Sequence, residues 1–278
     1  MKQKNITIHK CIYCDGAGET DEHIIPLALG GITKLLKASC ENCRTITSKC
    51  ELNPLKENWE QVRAICGYPS RHKNFSNMKF PLKVTLEDGS EKILELSKNE
   101  SAGLAVFLEY PLPGFFTPGI YKSGSYINAS NLISYGISIE ILKKKYGFKE
   151  VECKYKDTDH SFAKMVAKIG YCAAVSIFGI DSFDQRFVLP TLLNKKDDIG
   201  FWMGCDNEGK IIPLIGKTSN QNVVIIHIME KANSNDKYIF ARLKFFAFSE
   251  TPEYIVVIGT LKKDFTIDKY RSSIHVDT

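Results

Sequence analysis

The chain is 278 residues long, 44% hydrophobic and 25% charged, the composition of a soluble globular protein able to bury a core, and its length suits one small domain joined to a larger one. No apolar run approaches the roughly 18 residues that span a bilayer, and the opening Met1–Asn5 lacks the apolar stretch of a secretory signal, so a cytoplasmic protein without membrane association is expected. A net charge of +5 and a pI near 8.6 suit a polyanionic partner but fall below the pI of about 9 expected of a dedicated nucleic-acid binder, so charge alone identifies no partner.

Nine cysteines in a reducing compartment argue against a disulfide framework and for metal ligation by close pairs. Two such pairs open the chain, Cys11-x-x-Cys14 and Cys40-x-x-Cys43. Each two-residue gap lets both thiolates reach one tetrahedral zinc ion, and four thiolates close the site, so the spacing predicts structural zinc. Cys50, Cys66, Cys153, Cys172 and Cys205 have no paired spacing and read as small, buried apolar residues.

Between the pairs, a short strand carries Asp21-Glu22-His23-Ile24-Ile25-Pro26, followed by a loop through Gly30-Gly31. On a regular strand Glu22 and His23 face opposite sides, so both can address one point only if the strand ends, bulges or twists there. A helix is expected from Cys43 to Leu52, ended by Asn53-Pro54, then a second helical stretch from Leu55 to Cys66, stopped by Gly67-Tyr68-Pro69. The polar run 70–77 is the expected boundary between a domain at 1–72 and a domain at 73–278.

Beyond the boundary, Lys83–Leu86 and Lys92–Leu96 flank Glu87-Asp88-Gly89-Ser90 and predict a hairpin. Glu109 to Gly124, rich in Pro, Gly and aromatics, reads as a packed loop. Ser161–Phe178 has apolar residues at helical spacing and predicts the helix that backs a sheet. The sheet is expected as an antiparallel meander of Val223–Met229, Tyr238–Phe248 and Tyr254–Gly259, with a turn at 231–236 and a basic tail at the C-terminus. The fold class is therefore α+β, a zinc module followed by a larger antiparallel-sheet domain.

Cys11-Ile-Tyr-Cys14, Asp21–Pro26, Gly30-Gly31 and Ala38-Ser-Cys-Glu-Asn-Cys43 together resemble an HNH endonuclease domain, the zinc-stapled form of the ββα-metal nuclease fold. The resemblance covers residues 5–70; no named fold is assigned to the remainder. It implies a metal-dependent endonuclease acting on DNA, with His23 as general base and Glu22 as ligand of a catalytic Mg²⁺ or Mn²⁺. Many zinc-stapled members carry an asparagine ligand directly after the second cysteine pair, where this chain has Arg44. Glu51, two helical turns on and on nearly the same face, is the substitute ligand, and Arg44 becomes a candidate fork for the substrate phosphate. The larger domain would supply substrate binding, oligomerisation or regulation.

Blander readings compete. The zinc module can serve nucleic acid or a protein partner without catalysis, or a ligand-sensing second domain can gate it. His9 and His72 are solvated or phosphate-contacting, His160 caps a helix or sits in a turn, and His227 lies in an apolar strand. Lys143–Lys145 and Lys195-Lys196 read as solvated faces, and Trp59, Tyr121, Tyr126 and Trp202 as core.

Overall fold

Short apolar stretches broken by glycine and proline allow only short elements near the N-terminus. The computed structural model describes residues 5–70, 74–117, 119, 127–206, 208–215, 222–230, 236–266 and the backbone of 274–275. β1 (Ile6–Thr7) pairs in parallel with β3 (Lys34–Ser39), and β2 (Thr20–His23) pairs with β3 antiparallel. Cys40 then starts α1 (Glu41–Thr47), followed by α2 (Lys49–Leu52).

Asn53-Pro54 does not end the helical path as expected. Asn53 keeps helical angles, and residues Asn53–Asn58 form a π-helical stretch leading to α3 (Glu60–Ile65). The wider turn accommodates a proline that has no N–H to give, and Trp59 N–H closes it onto the Pro54 carbonyl at 2.9 Å.

The hairpin forms as predicted: β4 (Lys79–Leu86) and β5 (Glu91–Ser97) pair antiparallel around the 87–90 turn. A further pair, β6 (Ala102–Glu109) with β7 (Ala129–Gly136), has no clear sequence signal, because alanine, glycine, serine and asparagine are poor strand formers. After β7 come α4 (Ile139–Tyr146) and β8 (Phe148–Val151), the latter on the free edge of β4. From the expected packed loop, Pro111 lies close against Gly204, where a Cβ would meet the Pro111 carbonyl oxygen at 2.1 Å. Tyr121 and Tyr126 lie outside the described residues, as do His72, most of the 231–236 turn and much of the basic tail.

α5 (Ser161–Phe178) has the predicted bounds, and Asp157 Oδ1 caps it by accepting from Ser161 Oγ at 2.6 Å and Phe162 N at 3.1 Å. His160 sits at its start in the left-handed region, without a side-chain cap bond. Next come β9 (Phe183–Arg186), α6 (Leu189–Leu192), α7 (Ile199–Trp202) and β10 (Met203–Cys205). The meander then follows as β11 (Val223–Glu230), β12 (Lys237–Lys244) and β13 (Tyr254–Leu261), with β9 and β10 pairing to β13 and the short β14 (Ile274–His275) to β11. Every pairing in this sheet is antiparallel, and the class is α+β.

One face of α5 packs on β11 to β13, closely enough at Gly170 that a Cβ would lie 2.8 Å from Ala241 Cβ. The opposite face receives the N-terminal segment: Tyr13 Oη lies 3.6 Å from Cys172 Sγ, and Tyr171 Oη donates to the Ile12 carbonyl. α5 is long and apolar enough, by length and composition, to cross a membrane, but 89% of that stretch is buried inside the fold, as befits a core helix. Trp59 is fully buried, its ring 5.1 to 5.5 Å from those of Phe107, Phe162, Phe245 and Phe246, and its indole N–H donates to the Val106 carbonyl. Trp202 is half-buried and stacks on Phe187. One apolar cluster thus runs from Cys11 to Leu261.

Trp59→Ala should lower stability by about 3–5 kcal/mol. Urea unfolding followed by circular dichroism and by Trp202 fluorescence should shift as one transition, whereas a shift in only one signal would contradict a shared core.

Candidate functional site

Two tight turns build the cysteine site. Cys11 N–H donates to the Gly16 carbonyl and Asp15 N–H to the Cys11 carbonyl, folding the first pair back on itself. Cys40 occupies the N-cap of α1, where its sulfur accepts from Cys43 N–H at 3.5 Å. All four sulfurs lie within 4.8 Å of one another, and Cys14 and Cys40 are 3.7 Å apart. Tetrahedral Zn–S bonds of about 2.3 Å require sulfurs about 3.8 Å apart, so the set fits a single zinc-sized ion. The Cys43 backbone N–H holds the Cys40 thiol below its ordinary pKa, while burial pushes Cys43 up. The site is closed: four protein sulfurs leave no open coordination position.

The neighbouring strand is irregular. The β2–β3 register shifts between Thr20 and Glu22, and β2 ends at His23. The anticipated bulge and strand end are both present, and Asp21, Glu22 and His23 all line one pocket of about 320 Å³. Gly30, at φ 83°, turns the loop that closes the pocket's edge. Gly31 packs so tightly on the Ile25 carbonyl that a Cβ would lie 1.8 Å from its oxygen. The glycines therefore serve the fold's own close packing. Asn222 Nδ2 fixes the same loop from the C-terminal half by donating to the Leu29 carbonyl at 2.8 Å.

Glu22 and Glu51 come together, and a cation lies between them. Lys168 Nζ of α5 sits 2.6 Å from Glu22 Oε1 and 2.6 Å from Glu51 Oε1. Glu22 and Lys168 are buried and Glu51 is partly open to the pocket. Burial pushes the Glu22 carboxyl above its ordinary range, opposed by the Lys168 charge. Burial also pulls Lys168 down, but the Glu51 and Glu22 carboxylates outweigh it and hold the ammonium well above the usual lysine value. The paired ammonium is the stable state of this lysine.

Arg44 also lines the pocket, half-exposed, with its guanidinium forked onto Glu41: Nε is 2.9 Å from Oε2 and Nη2 is 2.5 Å from Oε1. His23 stands half-buried on the same wall. Arg63 of α3 adds a cation that nothing in the N-terminal motif predicts. It is buried at the pocket and donates to three backbone carbonyls, Ala28, Leu55 and Pro69. Carbonyl acceptors hold its N–H groups in place, and its charge faces a pocket that Asp21, Glu22 and Glu51 also line. Lys168 did have a sequence signal: it is one of two lysines, with Lys164, inside an otherwise apolar helix, and a buried lysine needs an acid partner.

No family model, curated protein or solved structure matches the chain.

Elemental analysis of the purified protein should find one zinc ion per chain. Cys43→Ser should abolish it and lower the melting temperature, whereas unchanged stability after metal removal would rule out a staple.

Proposed function

We propose that the chain is an endonuclease of HNH type that hydrolyses DNA phosphodiester bonds in the cytoplasm. The observation that carries this reading is the joint placement of an imidazole, a cation-bridged pair of carboxylates and two arginines on one open pocket beside the cysteine site.

The chemistry follows from those residues. The His23 imidazole takes the proton of an attacking water, acting as general base. Arg63, whose position is set by three carbonyls, and Arg44, held by Glu41, offer positive charge to the phosphate. The convergence of the Glu22 and Glu51 Oε1 atoms, each 2.6 Å from Lys168 Nζ, supports reading this point as a cation seat. A Mg²⁺ or Mn²⁺ ion bound by Glu22 and Glu51 would supply charge stabilisation at the phosphate and the leaving oxygen. The Asn-to-Arg departure at Arg44 is met by Glu51, which reaches the same point as Glu22 from α2.

A second reading has one observation in its favour. Lys168 already satisfies both carboxylates, which is the arrangement of a non-catalytic zinc module that binds nucleic acid or a protein partner.

Supercoiled plasmid incubated with the zinc-loaded protein should be nicked with Mg²⁺ or Mn²⁺ and left intact with EDTA, with activity returning when Mn²⁺ is restored in excess. His23→Ala should slow nicking by roughly 10²–10⁴-fold. Identical traces from both proteins would eliminate the enzyme and leave the binding module.

A further inference from the structure

The pocket's most unusual member comes from outside the N-terminal segment. Lys168 projects from the core helix α5, more than a hundred residues downstream of Glu51, and its side chain is only 4% exposed. It is positioned from both ends: the Gly170 face of α5 is fixed on the C-terminal sheet, and Tyr171 is bonded to the cysteine loop. A solvated ion pair would be free to exchange partners, but this ammonium is held where two carboxylates converge.

We propose that Lys168 is a built-in competitor for the divalent cation: in the free protein its ammonium fills the seat between Glu22 and Glu51 and keeps metal ions from it. This rests on the reading of Glu22 and Glu51 as the cation-binding pair of the pocket. Ammonium and divalent ion want the same two oxygen atoms, and like charges at that spacing repel, so the ion loads only where Lys168 withdraws. The open pocket beside Glu51 gives the side chain somewhere to go, and a substrate phosphate there would offer it a new anionic partner. Cation loading would thereby be coupled to substrate.

The test uses the full-length, zinc-loaded protein and Mn²⁺ alone, with bound and free Mn²⁺ counted by electron paramagnetic resonance. Lys168→Met and Lys168→Gln should each bind Mn²⁺ at least about tenfold more tightly than wild type, and adding Glu22→Gln to either should remove the gain. Mn²⁺ should also raise the melting temperature of the Lys168 variants more than that of wild type. A merely structural lysine would lower the melting temperature and leave Mn²⁺ affinity unchanged, which overturns the proposal. So does a gain that survives Glu22→Gln. If neither Lys168 variant folds, wild type decides: tight Mn²⁺ binding without nucleic acid, at about micromolar Kd, refutes the competition, and binding weaker than about millimolar supports it. The readout is independent of cleavage, so a protein that shows this pattern but never nicks plasmid retains the competing lysine and loses the nuclease reading.

Discussion

Three paired charges, the buried Glu22 on β2 and Lys168 on α5 with the partly open Glu51 on α2, set the terms for the rest of the molecule. A lone buried charge is strongly unfavourable, and removing one partner of a buried pair typically costs about 3–5 kcal/mol. The three elements must therefore arrive at the same place, which ties a strand of the N-terminal segment, the helix after the second cysteine pair and the central helix of the C-terminal half into one arrangement.

Around that constraint the apolar core and the cysteine site divide the work. The N-terminal elements are too short to enclose a core by themselves, so they lie on α5 and share Trp59 with β6, α5 and the segment after β12. The four sulfurs cluster where the two cysteine turns meet, Cys11 and Cys43 buried and Cys14 exposed. Arg186 of β9 reaches across to the cysteine loop, with Nη1 3.3 Å from the Ile12 carbonyl and 3.1 Å from Asp15 Oδ1. The cysteine cluster, core packing and ion pairing converge on residues 11–15, so the strand that follows them has little freedom. A bulge there, which would loosen an ordinary hairpin, becomes a fixed way of aiming adjacent side chains into one pocket.

The proposed chemistry uses that rigidity. The imidazole and the carboxylates stand on elements locked from behind, and the arginines are oriented by Glu41 and by backbone carbonyls before any substrate arrives. Much of this was legible in advance. The cysteine spacing located a cluster of four sulfurs able to hold one metal ion, and the adjacency of Glu22 and His23 called for an irregularity such as the register shift observed between Thr20 and Glu22. Helical periodicity put Glu51 on nearly the same face as Arg44, and both line the one pocket. Less legible were the π-helical passage through Pro54 and the β6–β7 pair, because their local sequence favours other conformations and only packing overrides it.

The sequence by itself determined the elements whose signals are local: the paired cysteines, the strand carrying Glu22 and His23, the hairpin at 79–97, α5 and the three-strand meander. Spacing and alternation act over a few residues, so they can be read directly. Only the tertiary structure decided that α5 would bring Lys168 to Glu22 and Glu51, that Arg63 would turn into the same pocket, and that one core would run beneath both halves. Those outcomes depend on contacts across more than a hundred positions, where the balance of buried charge and buried apolar surface is settled only once all the elements are present.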